Sequence, residues 1–453
     1  MSSKLKVALI DSQNISRART WTPKPSHFSN RCSSLTPSSV SFLEKIGAWQ
    51  HVDASRVQPY EEMQVWDGET GSRISFDWSM QTSALEEARP VATMTENPNL
   101  TRALLSRIAG LGDEGLSIFS GTTVTSIENG IDYVDGPDLS AWPVLSLSPL
   151  PSSTANSQTD LRIAARLLIG ADGINSPVRS FATITTDGWD YDRQGVVATL
   201  SLSESESLPG RTTAYQRFLP SLGGPIALLP LPNNHASLVW STTVQNAAYL
   251  KSLSPNAFIA MVNAAFRLSM VDLQYMLHLD PSSLSSAPSS SHTPITPHED
   301  ELSWRLRHSS QPPQTPPVVT AVQEGSVASF PLRYRHASTY ISPRIALVGD
   351  AAHVIHPLAG QGLNLGLGDV ASLSNTIDYA ISHGMDIGDY LSLERYAFER
   401  WAVNAKVGGV CDLLHKVYNV SGQGPVAWAR SLGLRAIDQL PAVKSFLMRQ
   451  AEG

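Results

Sequence analysis

Short apolar runs that end in glycine turns occur several times along the chain, most clearly in residues 344–370. The run from Ile345 to Val348 is short enough to be a buried strand, and it ends at Gly349 and Asp350. A second turn, residues 357–364 (PLAGQGLN), opens into a helical pattern. The pattern predicts a strand, a turn with one carboxylate and a helix. Ligands of open α/β sheets bind at such strand ends.

Two further segments show the same order of apolar run and acidic turn. Residues 5–10 (LKVALI) predict a strand that ends at Asp11. Residues 167–169 predict a short buried strand that is followed by Asp172 and Gly173. Together with residues 344–370, these segments favour an α/β domain with parallel strands.

Other parts of the chain alternate apolar and polar positions, which is typical of antiparallel strands. Residues 63–66 and 73–76 alternate around a turn, and residues 196–240 contain short apolar runs broken by turns. Residues 390–420 predict a long helix, and residues 425–448 give a shorter amphipathic pattern. That last segment predicts a helix packed on the rest of the protein or, alternatively, a membrane-surface contact.

Two segments lack the composition of a packed core. Residues 133–160 are rich in Pro, Ser and Asp and indicate a surface insertion. Residues 281–317 have seven serines in the ten positions 282–291 and two Pro-Pro pairs after them. Such a sequence buries too little apolar surface to order itself, so we expect a flexible insertion there.

Composition narrows the class of protein. The 453 residues are enough for two or three domains, and the net charge of −7 argues against a nucleic-acid partner. The two cysteines, Cys32 and Cys411, are too few for a disulfide framework. No run of apolar residues is long enough to span a membrane. The first residues, MSSKLK, show no targeting segment.

Two motifs carry a family resemblance. Residues 349–366 (GDAAHVIHPLAGQGLNLG) resemble the second FAD motif of aromatic-ring flavin monooxygenases of the p-hydroxybenzoate hydroxylase class, and they are most similar to its ubiquinone-biosynthesis branch. Residues 170–179 (GADGINSPVR) resemble the GADG-x-x-S-x-VR motif of the same class. The resemblance implies an FAD-binding Rossmann-like domain interleaved with an α+β substrate domain built on an antiparallel sheet, followed by C-terminal helices.

The resemblance also implies the cofactor site. The positions expected to bind FAD are those that match family motifs, namely Asp11, Arg31, Asn97, Asp172, Gly173, Gly349, Asp350, Pro357, Gly360, Gln361, Gly362 and Asn364. Taken alone, Asp11 is also consistent with a turn residue, Arg31 with an exposed loop arginine and Asn97 with a helix cap.

A glycine fingerprint, G-x-G-x-x-G, precedes the ribose-binding acid of a dinucleotide-binding unit by about 20 residues. No such fingerprint precedes Asp11 or occurs elsewhere in the chain. We therefore expect either a truncated N-terminus or a natural short form. The absent piece would supply the first strand, the pyrophosphate turn and the first helix, which leaves FAD affinity open.

The expected domain boundaries follow from the resemblance. The FAD-binding domain is expected in three parts, the substrate domain in two and the helices last. The expected segments are 1–60, 96–190 and 336–385 for the FAD-binding domain, 61–95 and 191–335 for the substrate domain with the insertion 281–317, and 386–453 for the C-terminal helices.

The activity that the resemblance implies is FAD-dependent hydroxylation of carbon 5 of a polyprenyl-hydroxybenzoate ring, with O2, in ubiquinone biosynthesis. It also implies electrons from ferredoxin and its reductase, membership of the coenzyme Q biosynthetic complex, and peripheral contact with the matrix side of the mitochondrial inner membrane. No acid–base pair or metal-ligand spacing is readable, so the catalytic residues stay unknown. His353 and His356 could assist proton transfer or make structural hydrogen bonds.

Two alternatives remain open from the sequence. One is a flavin hydroxylase of the same fold that acts on a small soluble phenol and uses NADPH directly. The other is a non-catalytic short form that acts as a scaffold in the biosynthetic complex, which the absent glycine fingerprint supports.

Overall fold

The computed structural model describes residues 5–77, 89–112, 115–133, 135–149, 161–204, 212–280, 295–309, 315–357 and 360–419. The helices in these ranges are α1 (Ile15–Arg19), α2 (Pro37–Lys45), α3 (Asn97–Ala109), α4 (Pro177–Phe181), α5 (Val244–Ser252), α6 (Pro255–Arg267), α7 (Met270–Met276), α8 (Pro297–His308), α9 (Gly362–Ser382) and α10 (Tyr390–Asn419).

The strands come from two kinds of sheet. In the first half of the chain they are β1 (Val7–Asp11), β2 (Cys32–Leu35), β3 (Val57–Tyr60), β4 (Glu62–Asp67), β5 (Arg73–Asp77), β6 (Ala92–Glu96), β7 (Leu116–Ser120), β8 (Thr122–Asn129), β9 (Pro143–Pro149), β10 (Leu161–Ala164) and β11 (Leu168–Gly170). In the second half they are β12 (Thr186–Leu202), β13 (Thr213–Leu219), β14 (Gly224–Leu231), β15 (His235–Thr243), β16 (Val319–Val322), β17 (Ala328–Ala337), β18 (Ile341–Ser342), β19 (Ile345–Leu347) and β20 (His353–Val354).

A nine-stranded sheet forms the larger layer. Its order is β20-β17-β12-β15-β14-β13-β4-β5, with β16 paired to β12, and all its pairs are antiparallel except β4 with β13. One face is covered by α5 to α8. There Val196 and Trp240, which pair across strands, pack with Phe258 and Phe266 of α6 in a fully buried core. The alternation along these strands places every second residue in that core.

Parallel strands form the second unit. β11 pairs with β19 in parallel, β18 adds an antiparallel edge, and β1 pairs with β7 in parallel. Two further three-stranded sheets, β2-β6-β3 and β8-β9-β10, complete the described strands. The core of this unit includes Leu168, Leu347, Leu373 and Tyr396. The expected α/β domain interleaved with an antiparallel sheet is therefore confirmed.

Two expectations about insertions are wrong in part. Residues 297–308 of the expected flexible insertion form α8, because Thr296 and Glu299 build a reciprocal capping box and the helix packs Leu302 and Leu306 on the main core. Within the expected insertion 133–160, residues 143–149 form β9, the middle strand of its sheet. Residues 281–294 and 310–314 lie outside the described residues.

The long helix expected at residues 390–420 is confirmed as α10, whereas the amphipathic pattern at residues 425–448 lies outside the described residues. Among the helices that the structure describes, none is both long and apolar enough to cross a membrane.

Candidate active site

Two of the turns predicted from the sequence, the one with Gly173 after β11 and the one with Gly349 after β19, lie side by side. β11 and β19 are parallel neighbours, and the Val348 N–H donates to the Gly170 carbonyl at 2.9 Å. Arg179 then joins the loops that follow, because its guanidinium donates to the carbonyls of Ala351 at 2.8 Å and Ile174 at 2.7 Å. Both turns therefore meet at the carboxyl edge of the parallel strands, where such folds bind ligands.

The acidic residues of these turns differ in environment. The carboxylate of Asp172 accepts the Val178 N–H at 3.1 Å and so fixes the start of α4. Asp350 is solvent-exposed, yet the surrounding protein removes part of its hydration and raises its pKa, an effect that nearby His353 opposes. Asp11 ends β1, and its carboxylate accepts the Gln13 N–H at 2.8 Å. This hydrogen bond stabilises the local turn after the strand.

A second group of predicted positions gathers around β2. The Asn97 N–H donates to the carbonyl of Arg31 at 2.9 Å, which places these two residues together where β2 and β6 pair. Asn364, in the first turn of α9, accepts the Thr36 N–H at 3.0 Å and donates to the Ser34 carbonyl at 2.8 Å. We call residues 357–364 the glycine-rich turn. The amide of Asn364 thus connects this turn by hydrogen bonds to β2, the strand that begins next to Arg31.

The glycines leave room for a flat ligand. Gly173, Gly349 and Gly360 adopt left-handed φ values of 84°, 58° and 61°, which glycine reaches without strain. A Cβ added at Gly173 or Gly362 would meet no protein atom within 4 Å. Because Gln361 makes no side-chain cap bond, the N-terminus of α9 presents N–H groups and a partial positive charge beside this space. These residues fit the anionic edge of a flavin.

Sequence reasoning missed the residue that holds the first turn in place. Asp369 of α9 is fully buried, and its carboxylate accepts the Gly349 N–H at 3.1 Å and His353 Nε2 at 2.6 Å. Arg400 and Asn404 of α10 donate to its other oxygen at 3.0 and 2.8 Å. Burial would raise the pKa of Asp369, but these partners, His353 first, hold it below its usual range. An acid within the apolar first half of α9 was the available signal.

The face of the large sheet opposite α5–α8 carries an apolar row. Direct cross-strand pairs join Val197 to Val239, Val239 to Ala227, Ala227 to Gln216 and Gln216 to Val65, so these side chains share one face. The first three are only half-buried, whereas Gln216 and Val65 are buried. We call this row the slot.

Contacts with the segment before β2 and with α10 mark the two ends of the slot. At one end Thr199, two residues after Val197, donates to the carbonyl of Phe28, just before β2. At the other end Tyr418, near the end of α10, stacks on Phe218 of β13 with ring centroids 3.8 Å apart. The slot therefore lies between the strand next to Arg31 and the last turns of α10.

The side chains that could bind a metal ion do not cluster in the part of the chain that the structure describes. Within the described ranges, no group of three or more His, Cys, Asp or Glu side chains is arranged to hold a metal ion. The two cysteines are free, and burial raises the pKa of the Cys411 thiol to about 11 and that of Cys32 to about 12. Both are therefore poor nucleophiles.

Open glycine turns at the ends of parallel strands, set beside an apolar face of an antiparallel sheet, define a flavin-binding monooxygenase fold. A family model described as an FAD binding domain matches residues 283–407. The structure of p-nitrophenol 4-monooxygenase from Pseudomonas putida superposes on this chain with a TM-score of 0.64 at 14% sequence identity. The superposition covers 100% of this chain and 99% of the p-nitrophenol 4-monooxygenase chain.

Two relatives identify the family within this class of monooxygenases. The mitochondrial ubiquinone biosynthesis monooxygenase COQ6 of Schizosaccharomyces pombe is 38% identical over 99% of this chain and 86% of the relative. The protein of the same name from Xenopus tropicalis is 38% identical over 98% of this chain and 86% of the relative. The chain belongs to the COQ6 family of ubiquinone biosynthesis monooxygenases, which confirms the resemblance and its expectation of an FAD-dependent enzyme.

Proposed function

We propose that this protein is an FAD-dependent monooxygenase that hydroxylates carbon 5 of a polyprenyl-hydroxybenzoate ring in ubiquinone biosynthesis. The observation that supports this most strongly is family membership over nearly the whole chain. The juxtaposition of the open glycine turns and the slot adds a physical reason, because a ring oriented in the slot would face the cofactor that the turns receive.

The positions expected from the sequence remain our proposal for holding FAD. Arg31, Asp172 and Gly173, with Asp11, would lie along its phosphates and adenosine, and the amide of Asn97 would touch its flavin side. The segment from Gly349 and Asp350 through Pro357, Gly360, Gln361, Gly362 and Asn364 would lie against its ring system. When bound and reduced, FAD supplies the oxygen chemistry, in which one atom of O2 enters the ring and the other leaves as water.

The side chains of the slot would orient the substrate and exclude water. Val197, Val239 and Ala227 offer an apolar surface to an aromatic ring with a prenyl tail, and Gln216 is the polar group within the row. Asp369 would act at a distance, because it holds the Gly349 turn rather than the substrate. A few polar groups in a mainly apolar pocket suit a prenylated phenol.

The cellular setting that we propose follows from the relatives, whose names place them in mitochondria. We propose that the protein is mitochondrial and lies at the matrix side of the inner membrane as a peripheral member of the coenzyme Q biosynthetic complex. Ferredoxin with its reductase is the proposed source of electrons. Direct use of NADPH on a soluble phenol, and a scaffold role without FAD, are the alternatives that the experiment must separate.

The experiment uses the purified full chain, reduced ferredoxin with its reductase, a prenylated 4-hydroxybenzoate and O2 of a heavy isotope. We expect a flavin absorbance spectrum and one heavy oxygen atom in the ring product, measured by mass spectrometry. Label incorporation into a soluble phenol with NADPH, but not into the prenylated substrate, would establish the alternative hydroxylase. A folded, colourless chain without product would support the scaffold.

A further inference from the structure

The side chain of His356 is fully buried and makes no hydrogen bond to the part of the chain that the structure describes. Its side chain is 0% exposed, and neither Nδ1 nor Nε2 has a partner among the described residues. An orphaned buried polar group costs about 1–3 kcal/mol, so a native protein rarely keeps one without a use. Because His356 directly precedes Pro357 in the glycine-rich turn, this unpaired ring lies at the edge of the candidate active site.

Two aromatic side chains hold the imidazole in place. The ring centroid of His356 is 5.1 Å from that of Tyr191 and 4.6 Å from that of His415, and the last two rings are 4.5 Å apart. Tyr191 donates to Asp412 at 3.0 Å, and Lys416 pairs with the other oxygen of that carboxylate at 2.7 Å. We call Tyr191, His356 and His415 the ring cluster.

The ring cluster borders the slot. His415 and Tyr418 are three residues apart on α10 and thus lie on the same side of that helix. Tyr418 stacks on Phe218, which is two residues from Gln216 on the same face of β13. The ring cluster therefore joins the glycine-rich turn to the end of the slot that α10 covers.

The surroundings keep His356 uncharged. Burial, followed by the neighbouring His415, lowers the pKa of His356 to about 3. Burial, and then Arg193 and Lys416 against the opposing charge of Asp412, lowers the pKa of His415 to about 4. A neutral imidazole offers one donor and one acceptor. Its natural partner is an uncharged group with the same pair of functions, namely a hydroxyl, rather than a carboxylate, which would favour the imidazolium.

We propose that His356 binds the ring hydroxyl of the phenol through its unpaired imidazole nitrogens, and that His415 and Tyr191 are positioning residues that fix this imidazole. The inference deepens the proposed function and rests on it, because the ligand of the slot is taken to be a phenol. No covalent step is involved. The role of His356 is to set which substituent of the ring points toward the glycine-rich turn.

The test compares two probes, 2-geranylphenol and its methyl ether. The ether carries a methyl group in place of the hydroxyl hydrogen and so cannot donate a hydrogen bond. Calorimetric titration of the full chain should show that wild type binds the phenol about tenfold more tightly than the ether, the value of about one hydrogen bond. In His356→Phe, which keeps a ring of similar shape, the two affinities should become equal. Flavin absorbance and the thermal midpoint report whether each variant is folded.

A matched control exists in α8. His298 is also fully buried with an unpaired Nδ1, but its Nε2 lies 2.6 Å from the Tyr249 hydroxyl on the other face of the sheet. His298→Phe should retain the tenfold preference for the phenol. His356→Leu gives the same comparison as His356→Phe if the phenylalanine variant does not fold.

Further variants separate binding from simple packing. His356→Gln retains a donor and an acceptor and should restore part of the preference, which a purely structural role would not require. Tyr191→Phe keeps the ring but loses the bond to Asp412, and we expect an intermediate preference of about threefold.

The outcomes distinguish this inference from the proposed function. If wild type and His356→Phe show the same preference for the phenol, the role of His356 is refuted while the hydroxylase proposal stands. If wild type carries FAD but binds neither probe, the prenylated-phenol substrate and the role of His356 both fail.

Discussion

Asp369 and His356 flank the glycine-rich turn in the chain, and both are fully buried, yet their hydrogen bonding is opposite. The carboxylate of Asp369 accepts four hydrogen bonds, from Gly349, His353, Arg400 and Asn404. The imidazole of His356 has none among the described residues. The first region is complete without a ligand, whereas the second lacks a partner among the residues that the structure describes.

The difference teaches how to interpret the two histidines that the sequence left open. His353 is hydrogen-bonded through Nε2 to Asp369 at 2.6 Å and so belongs to the scaffold of the Gly349 turn. His356 belongs to the ring cluster, and its imidazole makes no hydrogen bond within the described ranges. Burial alone therefore does not tell a structural histidine from a binding one, but the state of its partners does.

The largest expected effect comes from breaking the complete region. Asp369→Ala should lower the free energy of unfolding by about 3–5 kcal/mol, because it removes the shared partner of the buried His353 and of Arg400, whose side chain is 12% exposed. Urea unfolding followed by tryptophan fluorescence measures the change.

The control for this prediction is Asp386→Ala. Asp386 also pairs with two arginines, Arg166 and Arg344, but it is about one-third exposed. Its loss should cost about 1 kcal/mol or less. Equal effects at the two sites would show that the buried network of Asp369 has no special weight.

Removal of the polar group in the second region, that of His356, should have the opposite effect on the free energy of unfolding. His356→Phe should keep or raise stability by about 1 kcal/mol at neutral pH, since it removes two unpaired polar atoms from the interior. Unfolding measured beside Asp369→Ala tests the contrast directly. A loss of several kcal/mol would mean that His356 has a partner that stabilises the fold.

His356→Phe should also change the acid sensitivity. The pKa of His356 is about 3 in the folded chain and 6.5 ordinarily, so between these values the unfolded state binds the extra proton and stability falls as pH falls. Each such histidine contributes about 1.4 kcal/mol per pH unit. Wild type should therefore lose stability more steeply than the variant between about pH 6 and pH 4. Parallel slopes would contradict the lowered pKa.

The smallest effect tests the turn between the two regions. Gly362→Ala should leave the thermal midpoint of the FAD-free chain unchanged, since the new Cβ meets no protein atom within 4 Å. It should weaken FAD binding about tenfold, because overfilling a close contact costs about 1–3 kcal/mol. Flavin fluorescence titration measures the affinity.

Gly409→Ala is the matched control, since a Cβ there also meets no protein atom within 4 Å but lies on exposed α10. It should leave FAD binding unchanged. Unaltered affinity in Gly362→Ala would place the flavin elsewhere.

The features that depend on neighbours in sequence were predictable. The strand before Gly349, the start of α9 at Gly362 and the end of β11 near Asp172 follow from apolar runs and glycine, which act locally. The capping box of α8 was also local, but the serine-rich composition around it outweighed the signal of Thr296 and Glu299.

The features that depend on distant contacts were not predictable. Nothing in the chain indicates that Arg400 and Asn404 meet Asp369, because the packing of α10 on α9 decides it. The ring cluster likewise joins β12, the turn at His356 and α10 through tertiary structure alone. Residue type indicated which side chains could carry chemistry, but not which of them are left without a partner.

α10 supplies both regions from one continuous helix. Asn404 serves Asp369, and His415 serves the ring cluster eleven residues later, which is about three turns or about 16 Å along the axis. A single-residue insertion between them would rotate His415 by about 100° relative to Asn404 and carry it out of the cluster. Length variation in residues 405–414 is therefore constrained by helical phase, even though half of these side chains face solvent.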